Sequence, residues 1–403
     1  MPHERQRSSK RSRQSIGGWL VVGDSLLDFA AQYFATGQKE LAQCTKHLVS
    51  VMQNPIVELL DFSNETIFLE PTLFTLLGQK YSKVTLEQIL YGYLSNPARL
   101  ASFAAYADWQ GLVYLPRLGH LPTETNGAIL TVDSSAVACR LHEVRHICES
   151  QIELRLTGDP LLPSVFQDAD ELDVPIEPNA ANQYSCTMDR AFETLQIVAP
   201  VLFECLAAVT RRIVLFRSEK LGSFADIAAH GTAFLNVAQP EITTQVFFVE
   251  DLAHQCGHIL FSAMTVNRAE YLRADPTTPL QRFTGAADER RDLYTAFHGV
   301  FTEALMCIAL FSCLDAGVFS GQKLHALLGR LSFVMKRFQL DLLNLQHPEL
   351  FTTRGLTVVH ECGRVFDEVY RCTKDRIIRF DLSNQSYTFS YERFRALNSR
   401  LSR

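Results

Sequence analysis

Apolar residues along this chain fall mostly into helical spacing, broken by a few short runs of strand character. Apolar positions three and four apart mark residues 15–60 as helical, with Ser25 capping 26–34 and a second periodic stretch at 38–52. The same spacing predicts helices at 86–94, capped by Thr85, at 97–107, and at 136–156, the last closed by Gly158. Further helices are predicted at 188–208, from Thr243 or Thr244 through Met264, at 294–315, at 323–345 and at 353–371. Four short runs read as strands: 112–115, 128–132, 212–216 and 232–236. Helices outnumber strands, so the expected class is α+β with a predominantly helical body.

The pattern also suggests a division of the chain. Residues 1–14 read as a disordered basic tail carrying Arg5, Arg7, Lys10, Arg11 and Arg13. A mainly helical region spans 15–157. A linker rich in Pro, Asp and Asn occupies 158–184, a second domain 185–380, and a polar C-terminal tail 381–403.

With 403 residues, 47% of them hydrophobic, the chain can bury a large core. A net charge of −6 argues against a body that binds nucleic acid nonspecifically. No uninterrupted run of eighteen apolar residues occurs and no apolar stretch follows the basic tail, so neither a membrane span nor a signal peptide is expected. The ten cysteines form no CxxC pair, and reduced thiols in a cytoplasm are the expectation. Oligomeric state leaves no mark in the pattern.

The chemistry concentrates in 250–258, Glu-Asp-Leu-Ala-His-Gln-Cys-Gly-His, followed by His298. His254 and His258 lie one helical turn apart on one face, a spacing that lets two imidazoles grip one metal ion. Gly257 leaves room beside them, and His298 on the next helix could complete a three-nitrogen set, placing the metal site between two helices of the C-terminal half. Glu250 precedes His254 by one turn, and its carboxylate could ligate the ion or orient an imidazole. Gln255 stands where a hydrolytic zinc site needs a glutamate as general base, so the site is suited to hold a metal but not to activate water for peptide hydrolysis. A second string, His142-Glu143-Val144-Arg145-His146, is a literal HExxH. It would make a zinc hydrolase with Glu143 as base if it lay on a helix facing a cleft.

The second half resembles a known family. The order is Arg212–Phe216 with Arg217 and Ser218, then Ser223, Ala229 and Gly231, the helix bearing His254 and His258, then Asp288 to Leu293, Phe297-His298-Gly299, and Leu350 to Gly355. This arrangement, over about residues 185–370, is similar to the HExxH-type peptide β-hydroxylases, iron and 2-oxoglutarate enzymes that tailor ribosomally made peptides. The resemblance implies Fe(II) on His254, His258 and His298, 2-oxoglutarate as co-substrate, and hydroxylation at a side-chain Cβ of a precursor peptide. It further implies an arginine for the far carboxylate of 2-oxoglutarate, Arg291 first and Arg217 second. Gln255 departs from the family's glutamate. Three functions follow: such a hydroxylase; a degenerate homologue that binds peptide as a scaffold; and a zinc hydrolase built on His142, Glu143 and His146.

Overall fold

The computed structural model describes residues 22–78, 83–97, 100–156, 178–238 and 245–399. Helix takes 59% and strand 12%, the α+β class with a helical body that the pattern predicts. In chain order the helices are α1 (Asp24–Ser50), α2 (Pro71–Gly78), α3 (Leu86–Leu90), α4 (Ser134–Arg140), α5 (Pro178–Val198), α6 (Pro200–Val209), α7 (Gln245–Met264), α8 (Leu293–Asp315), α9 (Gly321–Asn344), α10 (Thr353–Ile377) and α11 (Tyr391–Asn398). The strands are β1 (Ser102–Tyr106), β2 (Leu112–Leu115), β3 (Gly119–Pro122), β4 (Ile129–Asp133), β5 (His142–Glu143), β6 (Arg145–His146), β7 (Glu153–Arg155), β8 (Arg212–Phe216) and β9 (Thr232–Asn236).

Helix α8 is the axis of the body. It packs on α7, α9 and α10, while α7 also meets α1, α5, α6 and β9. It is long and apolar enough to cross a membrane, yet 83% of its most apolar window is buried inside the protein, as a core helix requires. A four-stranded sheet of order β6-β7-β8-β9 flanks the helices. Strands β7, β8 and β9 run parallel, and all five residues of β8 are buried, which is why it reads as a continuous apolar run. The other two sheets are small and antiparallel, β1 with β4 and β2-β3-β5.

Among the described residues the apolar interior forms two large cores, besides a small patch of Val214, Phe216, Ala229 and Phe234. The larger joins Val22, Leu26, Leu27 and Ala30 to the helical body, and the smaller gathers residues from Ala42 to Val137. Helix α1 runs through both. At its middle, Gly37 lies so close to α7 that a Cβ there would meet the Ala263 carbonyl oxygen at 1.7 Å. The two cores are also joined by a buried ion network. Arg212 on β8 donates from Nη2 to Glu70 Oε1 at 2.9 Å and from Nε to Glu153 Oε2 at 3.1 Å. Tyr93 donates to Glu70 at 2.8 Å, the Arg117 amide to Glu153 at 2.8 Å, and the Tyr114 hydroxyl also bonds Glu153.

Several predicted elements take another form. Where a helix is expected over 97–107, the described residues contribute β1 instead, in which Phe103 and Ala105 turn inward while Ser102 and Ala104 face out. The helix expected over 136–156 stops at Arg140, and the rest supplies β5, β6 and β7. The helix expected at 188–208 is two helices, because Pro200 lacks the N–H that would continue α5 past Ala199. Gly23 at φ 82°, not Ser25, precedes α1, and the Ser25 hydroxyl bonds Glu361 instead. Thr85 does cap α3, accepting the Gln88 amide. The stretch read as a polar C-terminal tail carries α11, whose Phe394 is fully buried. The basic tail, Gly158, Thr243, Thr244 and most of the expected linker lie outside the described residues.

Removing one member of a buried ion network strands the others. Arg212→Met leaves Glu70 and Glu153 uncompensated and is expected to cost about 3–5 kcal/mol, read from the urea midpoint. Adding Glu70→Gln and Glu153→Gln to that variant recovers part of the loss.

Candidate metal centre

The three histidines of the C-terminal half come together where α7 crosses α8. Gly257 sets the crossing: a Cβ at that position would sit 2.9 Å from Leu305 Cδ1 and 3.4 Å from Thr302 Cγ2. The missing side chain lets the helices approach, and His258 meets His298 edge to face, with ring centroids 4.0 Å apart. His254, one turn back, lies 4.7 Å from His258 by the same measure. Phe261 stacks on His298 at 5.0 Å and Tyr294 at 5.9 Å, fixing that ring from the far side.

All three imidazoles are half-buried, with 31% of the His254 side chain open to solvent. Burial holds each below the usual histidine range; Arg337 and His298 add to this at His254, His298 and His254 at His258, and Arg268 at His298. All three are therefore neutral at pH 7, the form in which imidazole ligates a metal. The donor atoms are not yet arranged around an ion. Among the described residues no group of three or more His, Cys, Asp or Glu side chains is placed to hold one. His258 Nδ1 and His298 Nε2 are 2.6 Å apart, hydrogen-bonded to each other. Two nitrogens on one tetrahedral ion stand roughly 3.4 Å apart, so these two must separate by somewhat under ~1 Å to ligate together.

Gln255 is buried and turned away from solvent. Its Nε2 donates to His254 Nδ1 at 3.0 Å and to Asp251 Oδ1 at 3.2 Å, while its Oε1 has no hydrogen-bond partner. Gln255 thus orients His254. In this arrangement the proton of His254 lies on Nε2; turning the amide over would let Oε1 accept an Nδ1 proton and free Nε2 for a metal.

The remaining predicted site residues lie elsewhere or are engaged. Glu250 does not join the histidines: its Oε2 accepts from Arg330 Nη1 of α9 at 2.5 Å. Arg291 comes close to Gly299, beside His298, but its guanidinium is already held by two carboxylates. It donates to Asp341 at 2.6 and 2.7 Å and to Glu289 at 2.9 and 2.6 Å. Both carboxylates raise its already high pKa, and four of its five N–H groups are taken, one on Nη1 remaining. Arg217 follows β8 half-buried, with no contact to the histidines among the described residues. The string 142–146 is not helical. His142 pairs with His120 on β3 and His146 with Glu153 on β7, so its two histidines share no helical face. A groove of about 690 Å³ between α9 and α10, lined by Leu342, Val359 and Phe366 among others, lies apart from the histidines.

Two charged residues near the centre went unnoticed in the sequence. Arg337 of α9 acts on His254 from a different helix, and Asp251 sits beneath Gln255. No spacing rule links residue 337 to 254, so only the fold exposes the first of these. No protein-family model matches this chain, and no curated protein is significantly similar to it.

Asp251 supplies a pH test. Burial first, with Glu250 adding to it, raises its carboxyl from the ordinary 3.8 to about 6. The folded form then holds a proton that the unfolded form has lost between pH 4 and 6, so stability falls as pH rises through that window and the deficit persists above it. Asp251→Asn is expected to raise the melting temperature at pH 8, by removing a cost on the order of 2–3 kcal/mol, and to leave it nearly unchanged at pH 4. Equal shifts at both values would contradict the assignment.

Proposed function

We propose that this chain is a metal-dependent peptide hydroxylase of the iron and 2-oxoglutarate type, its ion held by His254, His258 and His298. The observation that carries the reading is the meeting of three neutral, half-open imidazoles from two helices across a glycine crossing. The donor set fits a divalent transition ion: three imidazoles suit iron or zinc, and an open side leaves positions for further ligands. When bound, such an ion supplies the activation of dioxygen against a peptide Cβ–H bond. The chain's own residues hold and aim the imidazoles: Gln255 positions His254, Asp251 positions Gln255, and Phe261 with Tyr294 seats His298. No carboxylate lies next to His254 in the sequence to act as a hydrolytic base, which weighs against a zinc peptidase.

The co-substrate fits less directly. Arg291, the first choice to receive the far carboxylate of 2-oxoglutarate, is filled by Glu289 and Asp341, and no step is assigned to it. That same observation favours a second reading, a homologue that keeps the peptide-binding body and has lost the chemistry. The partner in either case is a precursor peptide. The ten free thiols support a reducing compartment, and we read the protein as cytoplasmic.

Anaerobic loading with Fe(II), followed by metal analysis, separates the readings. The hydroxylase reading expects about one iron per chain, lost in both His254→Ala and His258→Ala, and succinate formed from 2-oxoglutarate by the wild type alone. Stoichiometric iron retained by both variants would remove the centre, and iron without succinate would leave the binding protein.

A further inference from the structure

The two edges of the β1–β4 sheet are finished differently. The outer edge of β1 is covered by side chains of α3 and its cap. Gln88 Oε1 accepts the Tyr106 amide at 2.8 Å, Gln88 Nε2 donates to the Tyr106 carbonyl at 3.3 Å, and the Thr85 hydroxyl donates to the Ala104 carbonyl. Strand β4 has no such cover. The Ala107 amide bonds the Ala128 carbonyl and the Ser134 amide bonds the Ala101 carbonyl, both at 3.0 Å. In that register Phe103 with Val132 and Ala105 with Leu130 are the hydrogen-bonded pairs. Ile129, Thr131 and Asp133 therefore aim their N–H and C=O groups away from β1. Among the described residues nothing bonds the outward groups of Ile129 or Thr131.

Strand β4 also lacks the devices that keep an edge to itself. Its sequence, Ile-Leu-Thr-Val-Asp, contains no proline and no lysine, and its register with β1 runs without a bulge. Val132 and, in part, Leu130 anchor the strand on the smaller core, while Thr131 and Ile129, the latter 60% exposed, face solvent. A sheet of two strands is marginal and gains from further ones.

The same five residues are complementary to themselves. Antiparallel pairing of two copies about a two-fold axis at Thr131 sets Thr131 against Thr131 and Ile129 against Asp133. Each outward N–H then meets a C=O. Facing threonines are a favourable cross-strand pair, and the two Asp133 carboxylates lie at opposite ends of the paired strands. A parallel, in-register neighbour would instead set Asp133 beside Asp133.

We propose that the bare edge of β4 is the contact between two copies of this chain, joined in one antiparallel sheet of order β1-β4-β4-β1. The contact is independent of the histidine centre.

Sedimentation velocity on the full chain across micromolar concentrations tests it. Wild type is expected to be a dimer in reversible exchange with monomer. Thr131→Pro removes the amide at the axis from both copies and should weaken the dimer by about ten- to a hundredfold. An outward position of an edge strand tolerates proline, so the melting temperature of this variant should stay near that of the wild type. Thr131→Val keeps the amide and should dimerise as before. Charge at 129 tests the register. Ile129→Asp sets an acid against each Asp133 and should weaken the dimer about tenfold, whereas Ile129→Lys sets opposite charges together and should keep it. If Thr131→Pro fails to fold, the two variants at 129 decide. A wild type that stays monomeric at high micromolar concentration, a folded Thr131→Pro chain that dimerises as tightly as wild type, or equal losses from Ile129→Asp and Ile129→Lys would each overturn the proposal.

Discussion

The close crossing of α7 over α8 at Gly257 is the contact on which the rest of the centre depends. Residues 254 and 298 are far apart in the chain, and nothing local brings them together. The backbones can approach because position 257 has no side chain, and Leu305 and Thr302 fill the space a larger residue would claim. Any Cβ there must push on Leu305, and α8 has little freedom to yield, since it is enclosed by α9 and α10 on its other sides. Packing in the body therefore fixes the distance between His258 and His298. The 2.6 Å contact between their nitrogens is a consequence of that packing, and an ion entering would have to work against it by rotating rings rather than moving helices.

Around this crossing the chain handles its buried charges in three ways. Arg212 is matched with Glu70 and Glu153, with Tyr93, Tyr114 and Thr72 taking up further bonds, and serves to tie the smaller core to the sheet. Arg330 with Glu250 and Arg291 with Glu289 and Asp341 stitch α9 to α7 and to the loop before α8. These pairs tie one helix to the next. Arg337 and Glu303 differ. Nε of the one stands 3.6 Å from a buried carboxyl oxygen of the other that has no hydrogen-bond partner.

How much of this could be read from the sequence follows from the range of each interaction. Strands β8 and β9 are legible because five successive buried residues in the first and four in the second leave a nearly continuous apolar run, and α7, α8, α9 and α10 because long periodic stretches persist through local exceptions. The segment 97–107 was misread because its inward positions include Ala105 and Ala107, which carry little hydrophobic signal and favour helix on their own; pairing with β4 overrode that preference. The histidine trio was legible from an i, i+4 spacing plus one partner on the next helix. The fate of the arginines was not. Glu289, two residues before Arg291, was in plain view, but Asp341 reaches it only because α9 folds back along α8. Glu250 likewise looked like a member of the histidine line until Arg330 arrived from α9 to claim it.

The substitution of Gln for Glu at 255 takes on a different meaning beside Asp251. Read from the sequence, it removes a base. In the fold, position 255 does not face an attacking water; it lies between the His254 ring and a buried carboxyl whose pKa is already raised. A glutamate with its oxygen 3.2 Å from Asp251 would set two carboxylates against each other in a dry place, and one of them would have to stay protonated. The amide avoids that conflict. It donates to Asp251 and His254 together, with no charge of its own. Asp251 and Gln255 therefore work as a matched pair: the carboxylate supplies the acceptor, and the amide carries its influence to the His254 ring.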